Sequence, residues 1–248
     1  FRAREPVLIL GKPGCGKSAL VKQVAAELSM HLVRSTASVE DPTDAKGIPW
    51  CNGGDTARYL LAGPLAEAMS ATTPTVWDIE DLGQAPPSVQ APYMQWLWGG
   101  ECGGHVLPSC VAMVATSNYR EKGMGVTGIL DPVISRMLVV RLVQHLDDFC
   151  AWGMQPAATR HGPLHEHIVG FVRFRPDLLS HDGPCQDMMN QPNGRNWERA
   201  SNWLYLGIGE ELPVLAGCVG DGAAGELVTY VKQARSIAHI PEMVFDKP

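Results

Sequence analysis

No stretch of this chain approaches the roughly 18 consecutive apolar residues of a membrane-spanning helix, and the apolar run in FRAREPVLIL stops at Gly11, too soon for a secretory signal. The chain therefore reads as soluble and cytoplasmic, with no membrane partner. An excess of positive charge is lacking too: 20 Lys and Arg face 26 Asp and Glu, for a net charge of -6. No global field attracts phosphate backbones, so nucleic acid is not an expected partner. Paired-cysteine spacing is also missing. The seven cysteines, at 15, 51, 102, 110, 150, 185 and 218, are odd in number and form no CxxC pair, which favours reduced thiols over a disulfide framework. Cys102, His105 and Cys110 match no common zinc-ligand spacing and lack a fourth ligand, so a plain loop is expected there. Repeats and low-complexity tracts are absent. What remains, 45% apolar and 19% charged residues over 248 positions, is the composition of a packed globular chain of one large or two modest domains.

From Pro6 to Leu142 short apolar runs alternate with amphipathic stretches, the pattern of strand-helix units around a parallel sheet. Strands are expected at 7–10 (VLIL), 31–38, 75–81, 111–118 and 137–142. A helix from Lys17 to about Leu28 places Leu20, Val21, Val24, Ala25 and Leu28 on one face. After Gln144 strand-like runs give way to helical ones near 165–174, 196–207 and 225–236, with a loop between Leu179 and Arg195. The expectation is an α/β fold: a five-stranded parallel sheet sandwiched by helices over residues 1–150, and a smaller helical lid domain over 151–248.

Between the first strand and its helix stands GKPGCGKS, residues 11–18, which satisfies GxxxxGK[ST] in the context that makes the pattern specific. Glycines let the backbone wrap so that successive N-H groups point at phosphate, and the helix N-terminus adds its partial positive charge. The cradle is Pro13, Gly14, Cys15, Gly16, Lys17, Ser18 and Ala19. Lys17 bridges the β- and γ-phosphates of ATP and the Ser18 hydroxyl ligates Mg²⁺. Cys15 is read as a small filler.

A phosphate loop needs an acidic strand on the far side of the metal, and TVWDIED supplies it. Glu80 takes the metal-side position and Asp81 the water-polarising one. Asp78 shares the face of Glu80 by the period of two, so either carboxylate reaches towards the metal. The usual order is Asp then Glu, so both positions depart from type. At the end of the next strand Asn118 stands where its amide orients an attacking water, although a terminal Asn is also a common turn-former.

These pieces, in this order, resemble the AAA+ ATPases, and more closely their MoxR branch of small bacterial and phage members. The resemblance rests on the phosphate loop, DPTDAKGIPW at 41–50, EDLGQAPPSVQ at 80–90, HVLPSCVAMVATSN at 105–118, LDPVISRM at 130–137 and GRNWERASNWL at 194–204. It implies that Asn118 is the sensor 1 residue, Arg136 the arginine finger inserted into a neighbouring subunit, and Arg195 the sensor 2 residue of the lid. It also implies a homo-oligomeric ring, a hexamer, acting on a protein client, with a von Willebrand A domain protein as the expected partner. Family members usually carry another helix before residue 1. By the same resemblance the loop at 41–55 faces the central channel, where Trp50 either grips a partner chain or covers the core. Two other readings stay open: a nucleotide-gated assembly scaffold with little hydrolysis, and a DNA-handling ATPase of the helicase-loader kind. Arg120 and Lys122 are too few charges to make a nucleic-acid groove.

Overall fold

VLIL can be buried on both faces only in the interior of a sheet, and it sits there. The computed structural model of the protein describes residues 5–51, 53–119, 128–181, 189–208 and 211–238. Arg120, Lys122 and the middle of the expected loop at 179–195 lie outside the described residues. Two compact units divide between Val143 and Gln144.

In the first unit the order is β1 (Val7–Gly11), α1 (Lys17–Glu27), β2 (His31–Thr36), α2 (Pro42–Lys46), β3 (Ile48–Cys51), β4 (Ala57–Leu60), α3 (Gly63–Met69), β5 (Thr75–Glu80), α4 (Pro87–Gly99), β6 (Glu101–Cys102), β7 (His105–Val106), β8 (Val111–Ser117), α5 (Asp131–Ile134) and β9 (Leu138–Leu142). Five of these strands form one parallel sheet in the order β2-β5-β8-β1-β9, the expected α/β architecture with helices against the sheet. Parallel pairing puts the carboxyl ends of β1, β5 and β8 along one rim, where ligands of such sheets bind.

The two faces of the sheet bury different things. Trp77 and Ile79 of β5 point into the larger core with Leu8, Val33, Ala115 and the α4 residues Val89, Tyr93 and Trp96. There the Trp77 indole donates to Ser35 Oγ at 3.0 Å and the Trp96 indole to Ala45 O at 2.7 Å, so both buried N-H groups are satisfied. On the other face Ile9, Val21, Ala25 and Val76 make a smaller cluster under α1. Only Val21 and Ala25 of the five expected apolar positions are buried on α1; Leu20, Val24 and Leu28 are 36%, 40% and 58% exposed. The helix meets the sheet along the narrow Lys17, Val21, Ala25 row at spacing four, which leaves the i+3 neighbours outside.

The second unit comprises α6 (Leu146–Gly153), α7 (Glu166–Phe174), α8 (Gly194–Tyr205), α9 (Leu212–Val219) and α10 (Asp221–Ala238). Its core gathers Phe149, Ile168, Phe171, Trp197, Leu215 and Leu227. Phe149 and Cys150 of α6 belong to this core, so the helical unit starts ahead of the expected residue 151. Among the described residues no helix is long and apolar enough to cross a membrane.

Candidate nucleotide site

Gly14 and Gly16 hold positive φ, 73° and 97°, conformations that side chains with a Cβ rarely adopt. Gly16 thereby becomes the N-cap of α1, and no side chain caps that helix end. A helix N-terminus set up in this way, with glycine and no capping side chain, suits an anion. Close approach shapes the loop floor as well. A Cβ on Gly11 would stand 2.8 Å from Cys15 Sγ and 3.1 Å from Leu142 O, so the thiol packs where Gly11 leaves room.

Lys17, in the first turn of α1, is buried. Its Nζ donates to Gly11 O at 3.1 Å and Lys12 O at 2.9 Å, and across to Asn118 Oδ1 at 2.7 Å. Asn118 follows the last residue of β8, which pairs with both β1 and β5. One ammonium therefore joins the phosphate loop to the end of the neighbouring strand, bringing together two residues 101 positions apart.

Glu80 ends β5 on the same rim, and Asp81 follows at φ 56°, one of two non-glycine residues with positive φ among those described. Both are half-buried, as is Ser18. Asp78 differs. It is fully buried, and neither carboxylate oxygen has a hydrogen-bond partner among the described residues. Burial first, then the nearby charge of Glu80, pushes its carboxyl up to about 7, against a downward pull from Arg34, its register partner on β2. A carboxyl held towards neutrality with no exposed surface is a poor anionic ligand. Glu80 and Ser18, at the rim, are oxygen donors suited to a hard cation such as Mg²⁺.

Arg136 lies just past α5 and turns back onto its own unit. Its guanidinium carbon stands 4.9 Å from the ring centroid of Trp98, in the last turn of α4, and Nη1 donates to Pro132 O. Arg195 is exposed in the first turn of α8, in the second unit, where it and Arg160 act on Glu198 against the upward push of burial. Asn193, at the N-cap, accepts from Asn196 N at 3.0 Å.

The segment after α2 is an antiparallel hairpin of β3 and β4, which the sequence did not announce. Ile48 and Trp50 are 49% and 56% exposed, so Trp50 does not cover the core. The hairpin's opposite face holds it down: Tyr59 receives Lys46 over its ring at 5.3 Å, and His105 donates to Tyr59 O at 2.9 Å. Cys102 pairs with His105 across the β6–β7 hairpin and is buried, while Cys110 Sγ donates to Ala71 O at 3.3 Å. Sequence reasoning passed over Trp98 and Gln90. Trp96 and Trp98 stand two apart on a helix and must point to different sides, which was a legible sign that one indole faces outward. Gln90 is a lone amide at a buried helical position; it donates to Ala85 O and Gly128 O and accepts from Leu130 N, each at 2.9 Å.

The model of the family described as "ATPase family associated with various cellular activities (AAA)" matches residues 7–46, from β1 through α2. Among solved structures, NtrX from Brucella abortus in complex with ADP is similar at 16% identity and a TM-score of 0.48, covering 80% of this chain and 46% of that one. A Thermotoga maritima RuvB mutant is similar at 11% identity and a TM-score of 0.45, covering 98% of this chain and 71% of that one. The chain thus spans less than half the length of NtrX. At such identities and TM-scores neither likeness bears on activity. No curated protein matches the chain.

Proposed function

We propose that this chain is a magnesium-dependent AAA+ ATPase of the MoxR type, which assembles as a homo-oligomeric ring, a hexamer, and uses ATP hydrolysis to remodel a protein client. A von Willebrand A domain protein is the client class that the sequence resemblance points to, and the cytoplasm is the proposed location. The observation that carries the reading is the bond from Lys17 Nζ to Asn118 Oδ1, 2.7 Å long, because it sets the cation of a phosphate loop beside an amide at the neighbouring strand end.

In this reading the backbone N-H groups from Gly14 to Ala19 receive the phosphates, and Lys17 exchanges its loop carbonyls for β- and γ-phosphate oxygens. Ser18 and Glu80 hold Mg²⁺, which when bound neutralises charge on the phosphate oxygens. Asp81 accepts a proton from the attacking water, and Asn118, freed from Lys17, orients that water. Arg136 of a neighbouring subunit and Arg195 of the lid supply positive charge to the transferring group. A positioned arginine is worth about 10³ to 10⁵ in rate in phosphoryl transfer. Trp50 and Ile48, exposed on their hairpin, are the side chains offered to the client.

Calorimetric titration with ATP tests the cradle. Lys17→Ala should abolish binding, and an unimpaired affinity would overturn the assignment. A second reading, a nucleotide-gated scaffold, draws support from the Glu80-Asp81 order: the longer arm at the metal and the shorter one at the water both disfavour fast chemistry. Phosphate release no faster than in buffer from assembled, ATP-bound protein would select it.

A further inference from the structure

Trp98 is 77% exposed at the carboxyl end of α4, so filling the core does not explain so large an indole there. The ring has a defined neighbour, the Arg136 guanidinium, 4.9 Å from its centroid. Three further facts fix that arginine. Nη1 donates to Pro132 O, one turn back on α5. Nε is buried and has no hydrogen-bond partner among the described residues, so it does not tether the group. The carboxyl end of α4 carries the helix's partial negative charge, and its last turn holds no basic residue of its own to answer it. A guanidinium laid on an aromatic ring has its flat face engaged and its edge donors available. With one edge held by Pro132, the remaining edge, Nη2, makes no hydrogen bond among the described residues and is left for an anion.

We propose that Trp98 is a positioning residue for Arg136: the exposed indole is a platform that holds the guanidinium fork in one orientation, edge outward, for the triphosphate bound in the neighbouring subunit. The proposal rests on the reading of Arg136 as a finger acting between subunits. It adds that the finger's geometry is set within its own subunit, by a residue that never touches nucleotide. A long arginine side chain free in solvent samples many rotamers and loses that freedom on insertion. Stacking on Trp98 and bonding to Pro132 remove part of that freedom beforehand, so the benefit belongs to turnover and not to ATP affinity, which the phosphate loop determines.

The test is steady-state phosphate release from ATP, expressed per assembled protein as measured by sedimentation, for Trp98→Ala, Trp98→Phe, Arg136→Ala and the double variant Trp98→Ala/Arg136→Ala. Trp98→Ala should lower kcat about two- to fivefold with KM unchanged, the range that an exposed cation-π contact supports. Trp98→Phe should recover part of the loss. Arg136→Ala should fall further, and adding Trp98→Ala to it should cost nothing more, because a platform without its arginine has no task. Trp98→Ala with wild-type turnover beside an impaired Arg136→Ala overturns the proposal and leaves the finger intact. An equal penalty from Trp98→Ala in both backgrounds overturns it as well, since the indole would then act on structure generally. If Arg136→Ala itself turns over like the wild type, the finger assignment falls and takes this proposal with it.

Discussion

Replacing Asp78 by asparagine should stabilise the metal-free protein at pH 8. Asparagine has the shape of the protonated acid but cannot ionise, so the substitution removes the cost of charging a carboxyl that is fully buried with both oxygens unpartnered. Burial and Glu80 raise that carboxyl from 3.8 to about 7. The folded chain therefore binds this proton more tightly than the unfolded chain does. The group's contribution to stability is complete at and below pH 3.8 and is lost as pH rises towards about 7. A shift of that size, at roughly 1.4 kcal/mol per unit, corresponds to about 4 kcal/mol. For a chain of this length that is on the order of 10 °C in Tm. Thermal melts followed by circular dichroism with chelator present, at intervals from pH 4 to pH 8, provide the measurement. The Asp78→Asn and wild-type curves should coincide near pH 4 and separate as pH rises, with the variant the more stable. A variant that is less stable at pH 8 would refute the reasoning, because it would mean that Asp78 is ionised and paired, with Arg34 across the β2–β5 register as the first suspect.

Two further outcomes are expected. Mixing Arg136→Ala subunits with Asp81→Asn subunits, each strongly impaired alone, should restore part of the phosphate release at assembled concentrations, since some mixed interfaces contain an intact finger facing an intact water site; no recovery would place the finger in cis or on another arginine. Gln90→Leu should cost about 3 kcal/mol in urea unfolding, about one kcal/mol for each of three lost hydrogen bonds, without altering ATP affinity; a loss below about 1 kcal/mol would show that the segment from Gly128 to Leu130 is held by something other than that amide.

The sheet was legible because its inner strands are buried or half-buried on both faces: VLIL and VAMVATS are apolar runs flanked by turn residues, a signal that survives without knowledge of the partners. The phosphate loop was legible for a different reason, since its glycines serve backbone geometry that few other residues tolerate. Three things were not. The face of α1 was overcounted, because periodicity identifies residues that share a side of a helix but not how wide a strip the sheet covers. Pro49 and the glycines at 53 and 54 hid the β3–β4 hairpin, whose strands are exposed and carry little of the alternation that marks a half-buried strand. In α9 apolar residues run almost continuously from Leu212 to Val219, so the 3.6 period was masked by an excess of hydrophobic positions. At the site, order along the chain gave Lys17 and Asn118 as separate candidates. Only pairing of β1 with β8 puts them in contact.

Asp81 stands in a left-handed backbone conformation, with φ at 56°. Residues with a short polar side chain, Asp and Asn above all, tolerate that region several-fold better than longer or branched ones. The bend that ends β5 therefore filters its own occupant on steric grounds, before any chemistry is asked of it. A glutamate introduced at 81 to lengthen the reach towards water would have to twist the bend or bear the strain, whereas an asparagine inherits the turn at little cost, which makes it the cleaner probe of the missing charge.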